Sequence, residues 1–267
     1  MSSITRLLSI FDLFNATNAV LTADGIISEL GCSRPQGYRY IRELCAFGFL
    51  TRFSGSYSLG PRIIELDYFI RRADPLLRVA EPLMRELRDQ VACDVTLAEM
   101  FGDHLVAVHH ERCLDIHLVN YGRGRPMPIF RGSTYKVFVA NLPVTRQKQL
   151  FLKHPEEVNS STLGKTWEEM RADLKKIRKM GYAVVAGEVE PHNVGIAVPI
   201  LDESGISVAV LTLVLPVVRF KTSNQEMLVQ IVKDVASEID RQIRFQSEKA
   251  QSQANQPVAA KRILRSR

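Results

Sequence analysis

The sequence predicts a mixed α/β chain of two domains, a small N-terminal unit of three helices and a hairpin followed by a larger α+β domain. Three observations carry this. Apolar residues recur at helical spacing in three short runs before Gly48, and a two-residue turn between strand-like segments follows them. From about residue 94, strand-like runs joined by turns interleave with capped helices. Between the two regions lies a helical connector broken by proline, at 61–75. With 46% apolar and 24% charged residues in a chain of 267, disordered, collagen-like and coiled-coil classes are excluded.

Taken in order, Ile4, Leu7, Leu8, Phe11 and Phe14 form one apolar helix face. Thr22 caps a second short helix with Ile26, Ile27 and Leu30 inward, and Gly31 stops it. A third helix opens at Ser33, where Ser33-Arg34-Pro35-Gln36 reads as a capping box with proline in the first turn, and Gly48 ends it. Phe49–Phe53 and Ser56–Leu59 flank Ser54-Gly55 as a hairpin, closing a first domain over residues 1–61. A linker helix over 62–74 carries Ile63, Leu66 and Ile70. Asp74-Pro75 then opens a helix with Leu76, Val79, Ala80, Leu83 and Leu87 inward.

The second domain, 75–245, begins with strands at Thr96–Phe101 and Leu105–His110 around Gly102-Asp103, and a further strand at Ile116–Tyr121. A helix over Ser133–Leu142 ends at Pro143. The capping box Thr166-Trp167-Glu168-Glu169 opens another, with Met170, Leu174 and Ile177 inward and Gly181 as its stop. Strands at Tyr182–Val185, Gly195–Leu201 and Ile206–Leu215 follow. A third box, Ser223-Asn224-Gln225-Glu226, opens a final helix with Leu228, Ile231, Val235, Ile239 and Ile243 in register. Strands paired by turns with helices on one side imply an antiparallel α+β domain, and neither GxGxxG nor GxxxxGK[ST] occurs. Residues 246–267 carry five Lys or Arg against Glu248 alone and read as a disordered basic tail. That tail holds most of the formal net charge of +6, so overall basicity is weak evidence for a nucleic-acid partner.

The longest apolar stretch, Val208–Val218, falls short of the ~20 residues a membrane helix needs. The N-terminus lacks the pattern of a secretory signal, so a cytoplasmic protein is expected. Cys32, Cys45, Cys93 and Cys113 form no CxxC pair, which excludes a zinc ribbon and fits buried thiols in a reducing compartment.

Placement of charge is more informative than its sum. In the helix after Ser33, Gly37, Ile41, Leu44 and Cys45 share one face. Gln36, Arg39, Arg42 and Glu43 occupy the other, and Arg34 stands at its start. Arginine offers a planar fork to phosphate or guanine, and glutamine can bridge adenine. A short helix, a tight turn and a polar third helix match the helix-turn-helix layout, with the hairpin as a wing and Arg52 available for a phosphate. The predicted DNA-binding residues are therefore Arg34, Gln36, Arg39, Arg42 and Arg52.

These residues also carry a resemblance. Leu30-Gly31-Cys32-Ser33, Tyr38-Arg39-Tyr40-Ile41, Phe47-Gly48-Phe49-Leu50 and Tyr57-Ser58-Leu59-Gly60-Pro61-Arg62 resemble the winged-helix domain of the IclR family of bacterial transcriptional regulators. The second half continues it. Arg125-Pro126-Met127-Pro128 leads to Lys136 and Leu142-Pro143, and Gly181-Tyr182-Ala183-Val184 and Gly195-Ile196-Ala197-Val198-Pro199-Ile200 follow in order, so the likeness spans roughly residues 4–245. The resemblance implies a winged helix-turn-helix domain joined by a helix to an effector-binding domain of GAF/profilin-like fold, working as a homodimer or homotetramer on double-stranded operator DNA of a catabolic operon. Arg34-Pro35-Gln36 and Tyr38-Arg39 stand where the family often has Lys-Ser-Thr and His-Arg.

The resemblance also implies where an effector sits: between the sheet and the turn that leads into the helix near residue 135. The matching positions are Ser133 and Thr134 on the turn, Val185 and Gly195 on two later strands, and Thr212 and Val214. A helix N-terminus there suits a carboxylate, and Arg131 is expected to add a bidentate contact. Val185 stands in place of a frequent acidic residue, Gly195 of a frequent Cys and Val214 of a frequent Ser. The expected effector is thus a small carboxylic acid with an apolar or aromatic body.

Other clusters read as bland. His104, His109, His110, Cys113 and His117 are close in sequence, but neighbours on a strand point to opposite faces, so no metal site is expected. Glu188 and Glu190 read as a solvated loop, and Ser133 and Ser223 as turn and cap rather than nucleophiles. No cofactor, catalytic residue or membrane partner is expected. The rival from another class is a GAF-like metal or thiol enzyme, using the His/Cys cluster or Cys93, whose N-terminal unit docks protein rather than DNA. A metabolite-sensing scaffold without DNA contact is a further rival.

Overall fold

The computed structural model describes residues 2–113 and 122–254. The strand expected at Ile116–Tyr121, His117 and the end of the basic tail lie outside them. Contacts divide the chain into two units, with the division between Asp74 and Pro75.

In the first unit, helix α1 (Ser3–Leu8) stops sooner than its periodicity predicts, and a 3₁₀ turn follows at Phe11–Leu13. The Ser9 N–H still donates to the Thr5 carbonyl in α-helical spacing, but Ile10 donates to Leu7 at 3.4 Å, so the chain leaves the α-helical register at Ile10. Ile10 then enters the core, whereas Ile4 and Leu8 are exposed, which corrects the predicted apolar face. A two-residue strand β1 (Leu21–Thr22) precedes α2 (Ala23–Leu30). Thr22 accepts from the Gly25 N–H, and Gly31 ends the helix in the left-handed region, both as read from the sequence.

Helix α3 (Arg34–Ala46) starts at Ser33, but the capping box is not formed among the described residues: Gln36 instead donates to the Tyr40 hydroxyl at 2.6 Å. At Gly37 a Cβ would lie 2.3 Å from Ile27 Cγ1, so glycine lets α2 and α3 approach this closely. β2 (Leu50–Phe53) and β3 (Ser56–Leu59) pair in antiparallel register around Ser54-Gly55, both at positive φ, and β1 adds to the outer side of β3. Ile10, Ile26, Tyr40, Ile41, Leu44, Leu50 and Tyr57 form the core. Three helices with this wing make a winged helix-turn-helix. Helix α4 (Arg62–Ala73) closes the unit, and every one of its residues is at least partly exposed.

The second unit is built on a five-stranded antiparallel sheet of β4 (Asp94–Phe101), β5 (His104–Glu111), β6 (Ala183–Ala186), β7 (Asn193–Leu201) and β8 (Ser207–Pro216), in the order β5-β4-β8-β7-β6. Helices cover both faces, not one as the strand-and-turn pattern implies. α5 (Pro75–Val91) and α11 (Gln225–Ala254) lie against Val95, Leu97, Ile196, Val198, Leu211 and Leu213. On the other face α6 (Gly132–Ala140) and α9 (Trp167–Met180) pack with Ala98, Ala197 and Val210. Beneath α6 the sheet offers Gly195 and Ala197, small residues that let the helix sink until all nine of its residues are buried.

α7 (Val144–Lys153), α8 (Pro155–Ser160) and α10 (Val217–Thr222) were not predicted. The Thr166–Glu169 capping box is present with both reciprocal bonds. The third box is not: Asn224 caps α11 by accepting from the Met227 N–H, while Ser223 bonds back to Arg219. Of the predicted stripe of α11, Ile239 is fully buried and Leu228, Ile231, Val235 and Ile243 pack half-buried against the same core, while Val229, Val232 and Ala236 beside them are buried more deeply. The helix also continues through Ala254, into the stretch read as a disordered tail from 246.

Candidate functional site

The exposed face of α3 and the wing together line an open groove. Gln36, Arg39, Arg42 and Arg52 all border it, as do Ser33 and the buried Tyr57. Arg52 reaches it because β2 places it opposite Tyr57, two residues from the turn. Arg34 does not line the groove; it pairs with Asp24 at 3.6 Å across exposed side chains. Such exposed pairs hold an arginine loosely, so its fork remains available to an outside phosphate. Gln36 is more committed than the sequence suggested. Its amide is bound to the Tyr40 hydroxyl, which Ser3 also contacts at 2.8 Å.

In the second unit a cavity of about 60 Å³ opens at the start of α6. Six of the seven predicted residues line it: Ser133, Thr134, Val185, Gly195, Thr212 and Val214. They come from three regions of sequence. β7 and β8 bring Gly195 and Val214 side by side, and β6 brings Val185 opposite Gly195. The hydroxyls of Thr134 and Thr212 lie 3.0 Å apart. The seventh residue, Arg131, is not on the lining. Its guanidinium donates to the Glu188 carbonyl and borders a neighbouring depression of about 420 Å³.

The turn into α6 is unusual. Phe130 has φ +55 and Gly132 φ +74, around an extended Arg131. A left-handed phenylalanine is rare and costs energy, and here burial, the Tyr135 ring at 5.1 Å and a bond from Ser161 to the Phe130 carbonyl hold it. The turn leaves the Gly132 N–H, the first of α6, to find a partner outside the helix.

That N–H is already occupied by a carboxylate. Glu188 accepts from the Gly132 N–H at 2.8 Å, while its other oxygen takes the Lys136 ammonium and the Thr162 hydroxyl. The expectation that Glu188 and Glu190 form a solvated loop is corrected: Glu188 is mostly buried, and both residues line the cavity. Burial pushes the Glu188 carboxyl up, but Lys136, Thr162 and the Gly132 N–H together hold it below the usual carboxylate range. One signal in the sequence pointed to this. Lys136 is the lone charge in the run Gly132–Ala140, and a buried ammonium requires an anion beside it.

The family model described as bacterial transcriptional regulator IclR, C-terminal, matches residues 70–241. The chain belongs to the IclR family. The HTH-type transcriptional regulator KdgR of Dickeya chrysanthemi is 26% identical to it over 267 residues, covering 92% of this chain and 87% of that one. An IclR transcriptional regulator from Silicibacter superposes with a TM-score of 0.79 at 18% identity, over 91% of this chain and 96% of its own. An IclR homologue from Microbacterium hydrocarbonoxydans, solved with 4-hydroxybenzoate, gives a TM-score of 0.71 at 23% identity, over 91% and 99%. These likenesses carry the fold.

Beyond the pocket, this IclR-family chain holds one cluster with metal-like spacing among the described residues, Glu81, His109 and Glu111. Its carboxylates are already answered by cations: Arg88 lies 2.7 Å from Glu111, and Arg85 lies 2.9 Å from Glu81. Two guanidiniums beside the ligand atoms repel a divalent ion, so the cluster is a charge network. His110 faces away from it, toward Asp94 at 3.2 Å. All four cysteines are free thiols. Burial pushes the Cys93 thiol up in spite of Arg219 at 3.1 Å, which works against a thiolate nucleophile. No helix among the described residues is long and apolar enough to cross a membrane.

Proposed function

We propose that this IclR-family chain is a transcriptional regulator of a catabolic operon, whose binding to operator DNA is modulated by a small carboxylic acid held at the start of α6. The observation that carries the effector class is the Gly132–Lys136 seat, whose hydrogen-bond donors and buried positive charge already hold a carboxylate. Around it Ser133, Thr134 and Thr212 offer hydroxyls, while Val185, Gly195 and Val214 offer an apolar or unhindered wall. An aromatic acid fits that division, and 4-hydroxybenzoate in the Microbacterium homologue is of this class.

On the DNA side, Gln36 and Arg39 read bases while Arg34, Arg42 and Arg52 hold phosphates. Two copies bind half-sites of a near-palindromic operator. The exposed Ile64, Tyr68 and Phe69 of α4 favour self-association into a homodimer, or a homotetramer built from it. The effector acts through the 62–74 segment, altering DNA affinity by a coupling of about 1–3 kcal/mol. The protein works in the cytoplasm as a regulator and not as an enzyme; the raised Cys93 thiol and the arginine-filled Glu81–Glu111 cluster weigh against the metal or thiol alternative. The test is footprinting of the full chain on its own upstream region with and without aromatic acids. A protected palindrome whose occupancy responds to acid supports the proposal, and uniform, sequence-indifferent binding overturns it.

A further inference from the structure

Three features of the loop between β6 and β7 combine into an inference about how the pocket is controlled. First, the carboxylate in the seat comes from a loop. Glu188 follows Gly187, at φ +72, and lies in the segment that ends at Asn193, while the groups that hold it belong to α6 and its neighbourhood. Second, the cavity left beside Glu188 is about 60 Å³, room for water and far below the few hundred Å³ of pockets that take small organic ligands. Third, Val189 and Glu190 line both this cavity and the neighbouring 420 Å³ depression, as does Met127. The segment 188–190 is therefore part of the wall between two spaces, and its first residue plugs the polar end of one.

We infer that Glu188 is a tethered carboxylate that occupies the anion seat in the absence of ligand, and that a free carboxylate enters by displacing it, joining the two cavities into one. The inference rests on reading the pocket as a carboxylate site. Lys136 is 5% exposed and bonded to Thr162 at 2.6 Å, so it stays in place and holds one anion or the other. Exchange of an internal carboxylate for an external one keeps that charge compensated throughout. Arg131, bound to the Glu188 carbonyl, steadies the closed loop and is freed with it. Competition by the tether lowers apparent affinity by the fraction of molecules in which the loop is open. Glu188 thus sets the concentration at which the ligand acts.

The experiment titrates the full chain with benzoate by calorimetry in the wild type, Glu188→Ala, Glu188→Gln and Lys136→Met. Expected is binding about tenfold tighter or more in Glu188→Ala, a smaller gain in Glu188→Gln, and loss in Lys136→Met. Formate, which needs the seat and no apolar wall, should raise the melting temperature of Glu188→Ala more than that of the wild type at equal ionic strength. Glu188→Gln, with its size kept, serves if the alanine variant folds poorly. Equal benzoate affinity in wild type and both Glu188 variants, with loss only in Lys136→Met, overturns displacement and leaves the carboxylate pocket standing. Absence of benzoate and formate binding in every variant overturns both.

Discussion

Gly195 lies so close beneath Ser133 that a Cβ added at 195 would sit 2.4 Å from the Ser133 hydroxyl oxygen. The N-terminus of α6 rests on β7 at this point, and a side chain there would lift the turn that presents the Gly132 N–H. Gly195→Ala is therefore expected to destabilise the second unit by about 1–3 kcal/mol and to weaken acid binding. Ser133→Ala in the same chain should restore much of the stability, since the nearest remaining Ser133 atom, its Cβ, is 3.6 Å away. Denaturant unfolding of the two single variants and the double variant measures this coupling.

The Lys136–Glu188 pair joins residues 52 apart in sequence, both largely buried. Lys136→Met leaves a carboxylate without its cation and should cost about 3–5 kcal/mol. Adding Glu188→Gln removes the stranded charge and should recover a large part of that loss. Chemical denaturation at pH 7 checks both values.

Asp103, in the turn between β4 and β5, takes Lys153 and Arg146 of α7. The Lys153 bond, with help from Arg146, holds its carboxyl below the usual carboxylate range despite partial burial. The unfolded value is about 3.9, so this contribution is fully present above that pH and is lost as pH falls through the lower folded value. Asp103→Asn should melt below the wild type at pH 7, and the two curves should converge as pH falls below the lowered folded value. Thermal melts across that range decide it.

In the N-terminal unit, Arg39→Ala and Arg52→Ala are expected to fail differently. Arg39 stands on the exposed face of α3, where a lost base contact costs about 1–3 kcal/mol and relaxes preference at one position. Arg52, on the wing, should weaken all duplexes alike and reduce the salt slope by about 1. Fluorescence anisotropy at several salt concentrations separates the two.

Local grammar made much of the fold legible. Ser54-Gly55 dictated the hairpin, and Thr166 with Glu169 set the start of α9, because such signals act within four residues. Registers decided by tertiary packing were less visible. Ile10, not Ile4 or Leu8, enters the first core, and on α11 the unpredicted Val229, Val232 and Ala236 are buried more deeply than Leu228, Ile231 and Val235 beside them, because several apolar residues compete for one face. The second helical layer on the sheet went unread because Ala98, Gly195 and Ala197 are small, and smallness marks a close approach only once the partner is known. For the pocket, the family pattern gathered six lining residues from distant segments. Glu188 escaped because no spacing rule links a loop glutamate to a lysine 52 residues earlier.

The central claim joins a basic helix on DNA to a carboxylate seat elsewhere in the chain. Its most direct test is the dissociation constant of the full chain for its own upstream duplex, against random competitor, as an aromatic acid is titrated in. The account predicts a sequence-specific complex whose affinity shifts about 5–150-fold with acid in the wild type and stays constant in Lys136→Met. A shift of equal size in Lys136→Met, or no preference for the upstream duplex over random DNA, would contradict it.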